Sequence, residues 1–73
     1  MIEVRFFATL LEGRGKIAQI PAEGVFAAGD ILRRFDIPEE EVAILLINGF
    51  HSKPGDPVKD GDVISLFPPV GGG

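Results

Sequence analysis

The chain has 73 residues, no cysteine, one histidine and a net charge of −4. That length allows one domain near the lower limit for an unaided core, burying roughly 60% of the unfolded surface. The missing thiols remove disulfides, thiolate zinc sites, iron–sulfur clusters and catalytic cysteines, while a lone His51 argues against a histidine zinc site or a Ser-His-Asp triad. The acidic balance disfavours nucleic acid and anionic membrane surfaces, and suits docking to a basic protein. No apolar run approaches the ~18–20 residues of a membrane span. The N-terminal Met1-Ile2-Glu3-Val4-Arg5 lacks a signal-like stretch, so a cytoplasmic location is expected. The 45% hydrophobic content, with six Phe, must supply the core by packing alone.

In chain order, residues 2–8 alternate: Ile2, Val4 and Phe6 on one face, Glu3, Arg5 and Phe7 on the other. Period two predicts a half-buried strand, with Phe7 breaking its polar face. Glu12-Gly13-Arg14-Gly15 reads as a turn, and residues 16–20 as a second strand ended by Pro21. The uneven parity of Ile17 and Ile20 suggests a bulge. Over 24–36 the period changes. Val25, Ala28, Ile31, Leu32 and Phe35 recur at helical steps, Arg33 and Arg34 suit the last turn, and Pro38 forbids continuation.

Residues 42–47, Val-Ala-Ile-Leu-Leu-Ile, form a near-continuous apolar run, which predicts a central strand covered on both faces. Asn48-Gly49 signals a tight turn, 50–52 a short strand, 54–61 a loop, and 63–67 a last strand. The expected architecture is therefore α+β. It has a mixed four- to five-stranded sheet, one helix packed across it, and the first and last strands parallel at the centre, the ubiquitin-like β-grasp pattern. The domain is placed at 1–67 and a flexible tail at 68–73.

Few side chains suggest chemistry. Glu39-Glu40-Glu41 reads as a solvated turn, with a docking patch for a basic partner as the alternative. Asp60-Gly61-Asp62 lacks the spaced ligands of a calcium loop and reads as turn chemistry. His51 reads as a surface hairpin residue. The tail differs. Glycine has no Cβ, so Gly71, Gly72 and Gly73 suit a narrow channel. Pro68-Pro69 stiffens the root, and residues 68–73 reach about 20 Å at ~3.3–3.6 Å each. A terminal carboxylate on Gly73 would be ionised at neutral pH and a nucleophile toward the α-phosphorus of ATP. Residues alone leave a frayed terminus equally open.

Residues 47–73 resemble the MoaD/ThiS sulfur-carrier family, nearest to the molybdopterin synthase small subunit. Ile47-Asn48-Gly49, the Asp60-Gly61-Asp62 turn, and Phe67-Pro68-Pro69-Val70-Gly71-Gly72-Gly73 carry the likeness. Val4-Arg5-Phe6-Phe7-Ala8 resembles the family's first strand. The resemblance implies a carrier without catalytic side chains or a bound cofactor. An ATP-dependent adenylating, ubiquitin-activating-like enzyme would activate Gly73. A persulfide donor, of cysteine desulfurase or rhodanese type, would convert it to a thiocarboxylate. Gly71 and Gly72 would thread into the large subunit of molybdopterin synthase, where the sulfur passes to a pterin precursor. Phe7 and Phe67, with Pro68, Pro69 and Val70, would meet the partner. The compact segment 36–41 and the absence of a longer basic stretch over 9–16 depart from the small-subunit pattern. The ending Val70-Gly71-Gly72-Gly73 is also frequent in the thiamine-pathway carrier. Three alternatives therefore stay open: a carrier serving thiazole synthase or another sulfur metabolite, a ubiquitin-like protein modifier, and a non-reactive β-grasp domain.

Overall fold

Ile2, Val4 and Phe6 are buried while Arg5 between them is exposed, the expected consequence of a period-two strand with one face on the core. The structure, a computed structural model, describes residues 1–69. The strands are β1 (Ile2–Phe6), β2 (Ile17–Ile20), β3 (Ile44–Ile47), β4 (Phe50–His51) and β5 (Val63–Phe67), and the helix is α1 (Ala28–Arg34). They form one five-stranded sheet ordered β2-β1-β5-β3-β4. β1 pairs antiparallel with β2 and parallel with β5, Glu3 facing Val63 and Phe6 facing Leu66. β5 pairs antiparallel with β3, Ile44 facing Phe67 and Ile47 facing Ile64. The first and last strands are thus parallel neighbours, as the sequence pattern predicts.

The core lies between this sheet and α1. Ile2, Val4, Phe6, Leu45, Ile64 and Leu66 meet Ala28, Ile31 and Leu32, and Leu10, Val25, Ile37 and Val58 close it from the connections. The Phe6 and Phe35 rings meet edge to face at 5.0 Å.

The observed α1 has seven residues and is shorter than the expected 24–36. Val25 is buried but precedes it. Ala27 at the N-cap has no side-chain acceptor, so the early N–H groups find partners elsewhere. Ala28 donates to the Asp56 carbonyl at 3.0 Å and Gly29 to that of Pro54 at 2.7 Å. The Asp30 carboxylate accepts from Phe26 and Ala27 N–H. Gly29 eases this approach, because a Cβ there would lie 3.2 Å from the Pro54 oxygen and push it back by a few tenths of an ångström. The other end closes before Pro38. Asp36 takes φ 58°, its N–H bonds the Arg33 carbonyl, and Ile37 N–H reaches back to Leu32 at 2.8 Å. This is the Schellman arrangement with Asp in place of the usual glycine.

Other expectations need correction. The first strand stops at Phe6. Ala8 adopts φ 53° and opens a 3₁₀ turn, Ala8–Leu11, that buries Leu10. β2 carries no bulge: Ile2, Glu3, Val4 and Arg5 face Ile20, Gln19, Ala18 and Ile17 without interruption. Ile17 simply points to the face away from the helix. β3 is neither central nor covered on both faces. It begins at Ile44, lies between β5 and the two-residue β4, and leaves Ile44 38% exposed. A single α-helix is present among the described residues, so one face of the sheet stays uncovered by helix.

The end of β5 nearest its start is polar and locked. Asn48 and Gly49 take φ 52° and 86°, as a type I′ hairpin turn demands. The Asn48 amide donates to Asp62 Oδ1 at 2.9 Å and its Oδ1 accepts from Val63 N–H at 2.9 Å. Asp62, 4% exposed, also accepts from Lys59 N–H at 2.9 Å. These bonds, the Lys59 N–H foremost and then the Asn48 amide, hold the Asp62 carboxyl below the usual carboxylate range. Asp60-Gly61-Asp62 is therefore a turn, as read from the sequence.

Candidate functional site: the outer face of the sheet

The face of the sheet opposite α1 takes the other parity of each strand. Arg5 lies on β1, Ile17 and Gln19 on β2, Ser65 and Phe67 on β5, and Ile44 and Leu46 on β3. Phe7 extends that parity past the end of β1, because its N–H donates to the Leu66 carbonyl at 3.1 Å and continues the parallel ladder. The Phe7 and Phe67 rings consequently stack, 4.2 Å between centroids and 9° from parallel. Phe7 remains 38% exposed and Phe67 half-buried.

Ile44, cross-strand from Phe67, adds an exposed aliphatic side on β3. Ile17, 55% exposed, adds one on β2. The result is an apolar band across four strands, concentrated where β5 gives way to Pro68 and Pro69. Exposed apolar groups gathered in one patch, rather than scattered, mark an interaction surface. Phe7 and Phe67 were both expected from the sequence and are brought into contact. Ile17 and Ile44 were not foreseen. The signal lay in the helix count: a single amphipathic helix covers one face, so β3 with apolar residues at both parities must leave one set uncovered.

Pro68 is half-buried and Pro69 exposed. Val70, Gly71, Gly72 and Gly73, the remaining expected contact, threading and reactive residues, lie outside the described residues. Glu39–Glu41 forms a 3₁₀ turn with all three carboxylates exposed. It stands near the same end of the sheet, since Ala43 N–H bonds the Phe67 carbonyl at 2.8 Å. His51 is exposed on the edge strand β4 opposite Leu46. Among the described residues no group of three or more His, Asp or Glu side chains could hold a metal, and no helix is long and apolar enough to cross a membrane.

The topology and the apolar end of β5 define a ubiquitin-like β-grasp protein, the fold of small sulfur carriers and modifiers. SAMP1 from Haloferax volcanii superposes with a TM-score of 0.78 at 26% identity, over 99% of this chain and 98% of that one. A second Haloferax volcanii protein, solved in solution, gives 0.77 at 31% identity over 99% and 85%. A complex of subunits 1 and 2 of molybdopterin-converting factor from Helicobacter pylori gives 0.65 at 31% identity over 99% and 97%. Comparison with curated proteins gave no match. The ThiS family model matches residues 4–73, and the chain belongs to the ThiS family.

Proposed function

We propose that the chain is a sulfur carrier that acts as the small subunit of a molybdopterin synthase. The Gly73 carboxylate attacks the α-phosphorus of ATP on an activating enzyme, pyrophosphate leaves, and the terminus becomes an acyl-adenylate. The terminal sulfur of a persulfide donor then attacks the acyl carbon and AMP leaves, and a second thiol of the donor or activating enzyme cleaves the resulting acyl disulfide to release the thiocarboxylate. The carrier contributes no catalytic side chain to these steps; the activating enzyme uses the ATP. Gly71 and Gly72, lacking Cβ atoms, let the terminus enter a partner's channel, while Pro68, Pro69 and Val70 extend the contact from the sheet.

The observation that carries this reading is the stacked Phe7–Phe67 pair, placed where β5 passes into Pro68-Pro69. Such a surface holds a partner while the segment beyond it is used. The similarity to a molybdopterin-converting factor subunit complex supports a large-subunit partner. A second reading is favoured by the similarity to SAMP1, a small archaeal modifier protein. In that case the same activated glycine would be taken by a lysine amine of a target.

The test is an intact-mass measurement after incubation with ATP, an activating enzyme and a sulfur donor. One oxygen replaced by sulfur, confined to the C-terminal peptide, is expected. No adenylate and no such shift with the activating enzymes of either the molybdopterin or the thiamine pathway would overturn the carrier reading. Lysine-linked adducts in cell extract that vanish on deleting Gly73 would select the modifier instead.

A further inference from the structure

The apolar band ends, on the β2 side, in a cleft of about 340 Å³ lined by Arg5, Phe6, Phe7, Leu11, Lys16 and Ile17. Its apolar surface comes from Phe6, Phe7, Leu11 and Ile17. Its charged groups are both cationic, in a chain whose net charge is −4. Arg5 uses Nε on Glu3 at 2.5 Å, and among the described residues its terminal guanidinium nitrogens have no partner. Lys16 is exposed and likewise forms no ion pair among them. β2 is an edge strand bonded to β1 alone. Its other edge offers unpaired N–H and C=O groups beside the cleft, the geometry into which an extended peptide adds as a further strand.

We propose that this cleft and the open edge of β2 receive an extended acidic segment of a partner protein. One large apolar side chain of that segment fills the cleft, and a neighbouring carboxylate meets Arg5 and Lys16. Charge decides the occupant: Lys16 has no ion pair among the described residues and Arg5 meets Glu3 through Nε alone, so a carboxylate can still take paired hydrogen bonds from the terminal guanidinium nitrogens, which a basic or neutral strand cannot do. The volume sits near the lower end of ligand pockets, with room enough to admit a large apolar side chain. Phe7 belongs to both the cleft and the stack with Phe67, so the segment is continuous with the docking surface proposed above. The inference needs only the folded domain, so it stands or falls separately from thiocarboxylate formation.

The test is a heteronuclear NMR titration of the full chain with an acetylated, amidated peptide, Glu-Asp-Phe-Leu-Asp-Glu. Saturable shifts confined to the amides of Phe7, Leu11, Lys16, Ile17 and their neighbours are expected. Combined Arg5→Gln and Lys16→Gln should weaken binding about tenfold, and Ile17→Ser should abolish it. Ile17, Lys16 and Arg5 are exposed, so these variants keep the fold. Equal binding of a peptide with Lys for every acidic residue, or shifts centred elsewhere, would overturn the proposal. So would cleft resonances that move on removing residues 70–73, which would make the chain's own C-terminal segment the occupant.

Discussion

β5 begins in a polar lock and ends in an apolar stack. At Val63 the strand is fastened by Asn48 and Asp62, whose hydrogen bonds are all internal and centre on the buried Asp62 carboxylate. At Phe67, four residues on, the strand ends in a ring stacked on Phe7 that leaves apolar surface facing water. The first arrangement satisfies every group and invites nothing to bind. The second leaves surface whose burial by a partner is favourable. If the proposed docking role holds, one strand keeps stability and recognition at opposite ends, and substitutions at the two ends should have opposite signatures.

The largest expected effect on stability is at the lock. Asp62→Ala strands the Lys59 N–H and the Asn48 amide, and should cost about 3 kcal/mol in urea unfolding. Affinity of the remaining folded molecules for an activating enzyme should be unchanged. A large loss of affinity per folded molecule would mean that the two ends are coupled and the separation is false.

Acid titration sharpens the same point. The Asp62 carboxyl is held low in the folded state, chiefly by the Lys59 N–H. Its contribution is therefore full above the unfolded value of about 3.9 and is lost as the pH falls through the lower folded value. Asp62→Asn should flatten the acid limb of stability against pH relative to the parent chain. Identical limbs would remove Asp62 as the source.

Next comes the hairpin turn beside the lock. Gly49→Ala forces an alanine into φ 86° and should cost about 1 kcal/mol. Phe7→Ala should change stability least, by under about 1 kcal/mol, since the ring is partly exposed and its stack is worth about that. Yet it should weaken partner binding by more than about tenfold, as the loss of an aromatic anchor does. Unchanged affinity in a calorimetric titration would reject Phe7 as a docking residue.

Much of this arrangement is readable from the chain. Alternation in Ile2-Glu3-Val4-Arg5-Phe6 gives a strand and marks Phe7 as out of place on its polar side. Asn48-Gly49 and Asp60-Gly61 give turns, because few other residues adopt the required backbone. The apolar run 42–47 misleads, since hydrophobicity alone does not distinguish burial under a helix from exposure awaiting a partner. Ile17 misleads in the same way, as its oddness looks like a bulge while the register is regular. The helix boundaries were hidden for a different reason. Both depend on groups distant in the pattern: a carbonyl from Pro54 at the start, and a left-handed Asp36 at the end. The Asp62–Asn48 bond joins residues 14 apart and leaves no periodic trace.

The dependence of α1 on Pro54 and Asp56 has a consequence for the order of folding. A helix of seven residues is too short to persist alone, and two of its leading N–H groups wait for carbonyls some 25 residues downstream. During synthesis the helix therefore cannot be completed until the loop ahead of β5 has left the ribosome. β5, the strand between β1 and β3, follows within a few residues. A fragment ending near residue 50 should show neither helix nor sheet, and secondary structure should appear together over the final stretch of the chain.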